Sequence, residues 1–350
     1  MQDKFGRLFH MPINLAKKNI RTVVFSANYK KSRPEVIIHN GVKFISYPMR
    51  WLSVIKFIFN FYLEVRANKA DVIIASGDSH FGFLGLIVAK RLKVPFVFDV
   101  YDYYPAFMSN KLPGMKFMYK LALKHADAVT CVSENLYRHI KEYNDTVLRI
   151  ENGIDPADFH PMDRDECRAS LGIKKEEVVI GYFGSMEAMR GIETLLDACK
   201  LLIDRYNIKL RLLLAGAKPD SLNLGYVWVD YRGIRMQKEI ATMINASSVV
   251  VLPYNNDSQI HYSNSCKIAE YFACRVPIVS TKVPDFVTNY PEETQSLNGA
   301  ICEPANPSLM CDAIYYQLLN QKIVIPKSAL TWSALTEKLL DALIQLQTRR

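Results

Sequence analysis

The chain has 350 residues, 49% of them hydrophobic and 23% charged, which excludes a disordered chain and leaves room for two domains of ordinary size. The formal charge of +9 lies in the first half: residues 1–160 hold 23 basic and 14 acidic side chains (23 − 14 = +9), and residues 161–350 hold 21 of each (21 − 21 = 0). A basic half predicts contact with nucleic acid, anionic lipid or a phosphorylated substrate, although solubility is an alternative that charge alone does not exclude.

Strand and helix patterns alternate along both halves of the chain. In the first half, strands are predicted at 21–27, 42–47, 71–76, 95–100 and 128–133, and helices at 51–68, 80–92, 114–126 and 134–143. In the second half, strands are predicted at 177–184, 210–216, 225–230, 247–253, 277–281 and 299–304, and helices near 191–206, 235–245, 266–275 and 308–321. Apolar strands that are each followed by a helix predict parallel sheets covered on both faces, and so an α/β fold of two doubly wound domains.

The join between the domains is predicted near residues 151–166, which are rich in turn formers and charge. We expect an N-terminal domain over 1–158, a C-terminal domain over 159–330 and an amphipathic final helix over 331–350. Open α/β domains bind ligands beyond the carboxyl ends of their strands, so the loops that follow strands are the informative ones.

The segment VPFVFDVYDYYP (94–105) places Asp99 and Asp102 at the end of a predicted strand, beside three tyrosines. A carboxylate in this position is well placed for acid–base chemistry. An aspartate that caps the next helix is an alternative of comparable weight.

The segment GYFGSMEAMRGIETLLDA (181–198) joins a predicted strand to a helix. Gly184 and Ser185 end the strand, and Arg190 with Gly191 opens the helix. Glycine lets a ligand approach the backbone, a helix start offers N–H groups to phosphate, and an arginine there can pair with a diphosphate. An ordinary connecting loop would look similar, and the spacing is not the GxGxxG of nicotinamide dinucleotide sites.

The segment SNSCKIAEYFACRVPIVST (263–281) starts a helix shortly after a predicted strand. Backbone N–H groups near Ser265 and Cys266 suit a phosphate, and Lys267 adds positive charge. Glu270, one turn further, can accept two hydrogen bonds from a vicinal diol such as a ribose, and no capping box explains it. The simpler alternative is a surface ion pair between Lys267 and Glu270 in the weaker order.

Two basic amphipathic stretches, residues 49–69 and 112–125, interleave aromatic and aliphatic side chains with Lys and Arg. This composition is typical of helices that lie on an anionic membrane. A core-facing stripe with lysines in solvent is the alternative for either stretch alone, and the charge excess of the first half gives the membrane interpretation comparable weight.

The seven cysteines include no CxxC pair and the histidines lack metal-ligand spacing, so neither a disulfide framework nor a metal site is predicted. The first residues lack the apolar run of a signal peptide, and the apolar stretch 51–65 is too short and too charged to span a bilayer. No nucleic-acid-binding module is recognised. We expect a cytoplasmic protein, peripheral at the inner face of the cell membrane.

Taken in order, seven motifs resemble one family. They read ADVIIAS, VPFVFDVYD, HADAVTCVSE, ENGID, GYFGS with RGIETLLDA, ASSVVVLPY and SNSCKIAEYFACRVPIVST. This series resembles the retaining glycosyltransferases of family four (glycosyl transferases group 1) over nearly the whole chain. The resemblance implies a GT-B fold, in which two Rossmann-like domains face each other across a cleft. It implies that the second domain binds a nucleotide-sugar, that the first binds the acceptor and that the last helix crosses back to the first domain.

The resemblance assigns roles in the second domain residue by residue. Glu270 matches the family's glutamate that holds the ribose. Lys267 and the Ser265–Cys266 backbone match the turn that faces the phosphates. Arg190 takes the place of the usual lysine that neutralises the leaving diphosphate.

Other donor-site positions depart from the family's pattern. The first glutamate of its paired motif would fall at Tyr262, so contacts to the donor sugar are expected from His261 or Asn255. The arginine that commonly follows the glycine is Ser185, which we expect to line the donor site together with Gly184.

In the first domain, Asp102 matches the aspartate of the family's "HD" element at the cleft floor, and Tyr101 replaces the histidine. The family usually opens with a strand and a glycine-rich loop, whereas this chain starts inside the first helix. The resemblance therefore leaves open an N-terminal truncation or an alternative start, either of which would remove part of the acceptor side.

We expect a retaining, metal-independent hexosyltransferase without a cofactor, whose catalytic residues are Asp102, Arg190 and Lys267. It would move a sugar from a UDP- or GDP-linked donor to an acceptor. The acceptor is expected to be a lipid-linked saccharide of surface polysaccharide biosynthesis. Arg190, Lys267 and helix N-termini would stabilise the departing diphosphate. The departures at Tyr262 and Ser185 leave open a catalytically eroded protein that binds nucleotide or a partner without turnover.

Overall fold

The computed structural model describes residues 6–29, 33–49 and 54–348. The predicted stretches 49–69 and 331–350 therefore extend into residues 50–53 and 349–350, which lie outside this description. The chain divides into two compact units, Met1–Asn152 with Thr331–Arg350, and Gly153–Leu330. The division falls before the predicted residue 158, because the N–H of Ile154 donates to Leu330 O (2.9 Å) and Ile154 is buried in the core of the second unit.

The first unit begins with a helix and alternates strands and helices. Its elements are α1 (Arg7–Lys17), β1 (Val23–Asn28), β2 (Glu35–His39), β3 (Val42–Pro48), α2 (Val54–Ala67), β4 (Ile73–Ser76), α3 (Ser79–Leu92), β5 (Phe96–Val100), α4 (Met115–His125), β6 (Ala128–Cys131), α5 (Glu134–Lys141) and β7 (Val147–Arg149). Two 3-10 turns, Tyr104–Ala106 and Met108–Lys111, lie between β5 and α4.

The strands of the first unit form two sheets. One has the order β1-β3-β2, and the other is parallel throughout with the order β4-β5-β6-β7. The predicted parallel pairing is confirmed for the second sheet and for β1 with β3, but β2 pairs antiparallel with β3 and was not predicted. Asn40 (φ 47°) and Gly41 (φ 79°) join them in a two-residue hairpin, and Asn-Gly is the residue pair that such turns favour.

The second unit is a doubly wound domain with one parallel sheet. Its elements are α6 (Arg164–Leu171), β8 (Val178–Phe183), α7 (Ile192–Tyr206), β9 (Leu210–Ala215), β10 (Val229–Tyr231), α8 (Gln237–Ala246), β11 (Val249–Leu252), α9 (Ser258–Tyr262), α10 (Cys266–Cys274), β12 (Ile278–Thr281), α11 (Pro284–Val287), α12 (Pro291–Ser296), β13 (Ile301–Cys302) and α13 (Pro307–Asn320). The strand order is β10-β9-β8-β11-β12-β13. The connections run in opposite directions on the two sides of β8, so the switch point of the sheet lies between β8 and β11, where open α/β sheets bind their ligands.

The final helix, α14 (Trp332–Thr348), belongs to the first unit and packs against α1. It contributes Trp332, Leu335, Leu339 and Leu343 to a buried cluster that also contains Met11, Val97, Ala128 and Ile150. Trp332 stacks on His10 of α1 at 5.7 Å between ring centres. The helix therefore covers the sheet β4–β7 together with α1.

A buried ion pair connects the start of α1 to the end of β5. Arg7 Nε lies 3.0 Å from both carboxylate oxygens of Asp99, and Nη1 donates to Ile150 O at 2.8 Å. Asp99 also accepts hydrogen bonds from Ser76 Oγ (2.8 Å) and Thr130 Oγ1 (2.6 Å). The carboxylate of Asp99 thus joins four elements of the first unit.

No helix in the described ranges is long and apolar enough to cross a membrane.

Candidate functional site

Several predicted site residues of the second unit lie at the carboxyl ends of β8 and β11. Gly184 follows β8, and the side chain of Lys267 runs directly over it: a Cβ added to Gly184 would lie 1.8 Å from Lys267 Cε. Gly184 also has a φ of +146°, which side-chain-bearing residues rarely adopt. Lys267 Nζ lies 5.8 Å from the centre of the Tyr182 ring. The ammonium group of Lys267 therefore lies over the end of β8, in space that is open because Gly184 has no side chain.

Arg190 lies in the loop between β8 and α7. Its guanidinium carbon lies 4.8 Å from the centre of the Tyr254 ring, just after β11. In the part of the chain that the structure describes, Nε and Nη1 are buried and have no hydrogen-bond partner. Glu187 Oε2 is 3.8 Å from Nε, close enough for an ion pair but too far for a hydrogen bond. Buried donors without acceptors are costly, and an anionic ligand at this position would offset that cost.

The loop that carries Arg190 is attached to the end of β11 by Asn255. The N–H of Asn255 donates to Met189 O (2.9 Å), and its Nδ2 donates to Ala188 O (3.0 Å). Its Oδ1 is buried without a hydrogen-bond partner among the described residues. Gly191 makes this approach possible, because a Cβ there would lie 1.9 Å from Pro253 O.

The start of α10 is fixed by two residues that the sequence did not identify. Ser265 Oγ is hydrogen-bonded to the hydroxyl of Tyr254 (3.0 Å), and the N–H of Ser265 donates to Asp285 Oδ1 (2.9 Å). Asp285 follows β12 and is fully buried, and burial raises the pKa of its carboxyl. The Ser265 amide, which was expected to face a phosphate, is therefore already engaged, and Cys266 and Lys267 form the first turn of the helix.

Glu270 lies on the second turn of α10. It is only 7% exposed, so the alternative of a solvated surface pair with Lys267 is wrong. Burial raises the pKa of Glu270 to about 7, and the charge of Lys267 opposes the shift. The carboxyl of Glu270 is therefore shielded from water and lies near the charge of Lys267.

The remaining donor-site candidates lie in the loop after β8 and on α9. Ser185 Oγ donates to Glu187 Oε2 at 2.8 Å. His261 and Tyr262 are on α9, with ring centres 4.8 Å apart, and His261 is exposed whereas Tyr262 is half-buried. Tyr262 supplies no carboxylate at the position where the family's first glutamate was expected.

Asp102 lies in the first unit, just after β5. Its Oδ1 accepts a hydrogen bond from the N–H of Tyr103 (2.8 Å), and its side chain is half-buried. Burial, followed by the nearby carboxylates of Asp99 and Asp102, raises the pKa of Tyr101 to about 12. Tyr101 is therefore a neutral hydroxyl beside Asp102. Within the described ranges, no group of three metal-ligating side chains is present.

Two family models match the chain. "Glycosyltransferase Family 4" matches residues 10–158 and "Glycosyl transferases group 1" matches residues 177–320, together 149 + 144 = 293 of 350 residues. The chain belongs to the family 4 glycosyltransferases. A curated relative of this family 4 chain, D-inositol 3-phosphate glycosyltransferase from Rhodococcus erythropolis, is 29% identical over 147 residues. That match covers 37% of this chain, and it spans only about a third (32%) of the relative.

Solved structures extend the likeness to nearly the whole family 4 chain. Sucrose-phosphate synthase from Thermosynechococcus elongatus has a TM-score of 0.71 at 18% identity, covering 97% of this chain and 88% of its own. The Anabaena protein HepE, solved in complex with UDP, has a TM-score of 0.66 at 14% identity, covering 94% of this chain and 98% of its own. The predicted GT-B fold is confirmed.

Proposed function

We propose that this chain binds a nucleotide-sugar in its second unit and transfers the sugar to an acceptor with retention of configuration, without a metal ion. The observation that carries the proposal is Arg190 at the switch point of the sheet, whose buried Nε and Nη1 have no acceptor among the described residues. The oxygens of a nucleoside diphosphate would supply those acceptors. The neighbouring structure of HepE contains UDP, which makes UDP-sugars the first donors to test.

The chemistry follows from where charge develops. When the bond between the anomeric carbon and the diphosphate oxygen breaks, negative charge builds up on the diphosphate. Arg190, Lys267 and the N-terminus of α10 provide positive charge fixed in advance for that state. The acceptor hydroxyl forms the new bond on the same face of the sugar, and its proton passes to the departing phosphate oxygen. Glu270 accepts hydrogen bonds from the ribose, and His261 and Asn255 contact the sugar.

We further propose a lipid-linked saccharide of a surface polysaccharide pathway as the acceptor, used at the inner face of the cell membrane, with Asp102 at the acceptor side. The basic charge of residues 1–160 supports an anionic surface. The curated relative is named for transfer to D-inositol 3-phosphate, so a phosphorylated polyol is a second acceptor class that a basic half would suit.

A transfer assay tests the proposal. Labelled UDP- and GDP-sugars are incubated with the protein and either a membrane lipid extract or inositol phosphate, and labelled product is measured. We expect Lys267→Ala and Glu270→Ala to lose most of the transfer, whereas Lys200→Ala, an exposed lysine on α7, retains it. Full transfer by both site variants would contradict the site assignment.

The second candidate function is nucleotide binding without turnover. Tyr262 and Ser185, in place of the family's glutamate and arginine, favour it. Thermal protection by UDP or GDP with no transfer to any acceptor would support this candidate over the first.

A further inference from the structure

The outward side of α2 is apolar. Ile55, Phe59 and Leu63 recur every four residues, so they form one stripe, and they are 84%, 58% and 40% exposed. The opposite side holds Phe57, which is buried against the rings of Phe25 (5.1 Å) and Phe81 (6.4 Å). Phe57 therefore packs inward, and the stripe of Ile55, Phe59 and Leu63 faces outward.

A second set of exposed apolar side chains lies on the 3-10 turn before α4, directly after that turn, and on α4 itself. Met108, Leu112 and Phe117 are 75%, 63% and 65% exposed. On α4, Tyr119 and Leu123 are buried, so Phe117 points away from the core. The helix α3 contacts both α2 and α4 and adds the exposed Ile87. We call these outward residues of α2, α3, α4 and the segment 108–112, together with the cations on the same elements, the basic face.

The charges on the basic face have a single sign. The exposed cations on these elements are Lys56, Arg66, Lys90, Arg91, Lys111, Lys116, Lys120 and Lys124. Within the three helices and the turn Met108–Lys111, the sequence contains one acidic residue, Glu64, which pairs with Lys43 at 3.5 Å. Exposed aliphatic and aromatic side chains are thus interleaved with cations, and Glu64 is the one acidic residue in the sequence of these elements.

We infer that the basic face docks the first unit onto an anionic lipid bilayer. This rests on the proposed transfer at a membrane, and the basic face is the surface that would contact the bilayer during that transfer. Apolar side chains such as Phe59 and Phe117 enter the boundary between headgroups and acyl chains, while the lysines contact lipid phosphates. Nucleic acid would match the cations but not the exposed aliphatic stripe, and an acidic protein surface would not immerse Ile55 and Met108 in an apolar medium.

Flotation with lipid vesicles tests the inference on the full chain. We expect the wild-type protein to bind vesicles that contain phosphatidylglycerol, to bind pure phosphatidylcholine far more weakly, and to be released by salt. Phe117→Glu and Phe59→Glu should abolish binding, and Lys120→Gln should weaken it about fivefold. Matched controls in the second unit, Val227→Glu at a fully exposed site and Lys200→Gln, should bind as the wild type does.

Thermal protection by UDP, measured on the same variants, separates this inference from the proposed donor chemistry. We expect nucleotide protection to be unchanged in Phe117→Glu and Phe59→Glu. A wild-type protein that ignores anionic vesicles, or face variants that bind as well as the controls, would overturn the docking surface whatever the nucleotide result. If UDP gives the wild-type protein no thermal protection, the proposed donor site is overturned instead.

Discussion

At the scale of single residues, burial brings the pKa of Glu270 close to neutral pH. Because burial raises its pKa from 4.5 to about 7, the folded chain keeps a proton on this carboxyl that the unfolded chain releases. The folded state therefore binds more protons than the unfolded state between those two pH values. In that window, the free energy of unfolding falls as pH rises.

The first prediction concerns this pH dependence. Between about pH 4.5 and about pH 7 the contribution of Glu270 lowers the free energy of unfolding by ~3 kcal/mol in total, since each unit of pKa shift is worth about 1.4 kcal/mol. Glu270→Gln, which cannot ionise, should remove this part of the dependence and be the more stable protein at alkaline pH. Urea unfolding across the pH range measures it, and parallel curves for the two proteins would contradict the burial of a titrating carboxyl.

The second prediction concerns Asp285, a positioning residue that acts through Ser265. Asp285→Ala removes the acceptor of the Ser265 N–H and should cost about 1–3 kcal/mol of stability, because that donor is left unsatisfied. It should also weaken nucleoside diphosphate binding, since the start of α10 loses its anchor. Asp285→Asn keeps an acceptor oxygen and should restore the binding. If the Asn variant binds nucleotide as poorly as the Ala variant, the positioning role is wrong.

At the scale of elements, the loop after β8 and the first turn of α10 depend on each other through Gly184. The third prediction is that Gly184→Ala displaces Lys267, whose Cε would lie 1.8 Å from the new Cβ, and weakens nucleotide affinity about tenfold or more. Gly172→Ala is the matched control, because Gly172 also has a positive φ (+70°) but has nothing within 4 Å of a Cβ. The control should lose about 1 kcal/mol of stability and no nucleotide affinity. Equal affinities in the two variants would contradict the placement of Lys267.

The fourth prediction concerns the last helix. Leu339 of α14 is buried in the first unit, so Leu339→Ala should cost about 2–5 kcal/mol of stability. Ile344, on the same helix, is 50% exposed, and Ile344→Ala should cost much less. Chemical denaturation compares the two. Similar losses at both positions would show that α14 does not pack on the first unit as described.

The alternation of elements could be predicted because it depends on local patterns. Apolar runs such as those of β5 and β11, bounded by turn formers and followed by helical patterns, are typical of buried parallel strands. The strand β2 was missed, although Asn40-Gly41 carries the local signal of its hairpin. The ion pair of Arg7 with Asp99 was not predictable in the same way, since its two residues are 92 positions apart and meet only when α1 closes onto the sheet.

The residues of the candidate site could be predicted from the sequence, but the surroundings of their side chains could not. The sequence indicated Arg190, Lys267 and Glu270 as a group, yet it could not show that Glu270 is buried or that Arg190 lies on Tyr254. Those facts depend on packing between elements that are distant along the chain. Asp285 was missed for the same reason, because an aspartate after a strand looks like a helix cap until its partner Ser265 is known.

At the scale of the whole molecule, positive charge and the candidate donor site belong to different parts of the chain. The net charge of +9 lies in residues 1–160, whereas Arg190, Lys267 and Glu270 lie in the neutral remainder. Because the proposed bilayer contacts and donor contacts share no residues, changes to one should leave the other intact.

The central claim is that the second unit binds a nucleoside diphosphate through Lys267 and Arg190. Isothermal titration of UDP and GDP into the wild-type chain, Lys267→Ala and the control Lys200→Ala tests it most directly. We expect saturable binding of one nucleotide by the wild type and the control, and affinity lower by about tenfold or more in Lys267→Ala, since a charge-assisted contact to phosphate is lost. No binding of either nucleotide by the wild type, or equal affinity in all three proteins, would contradict the account.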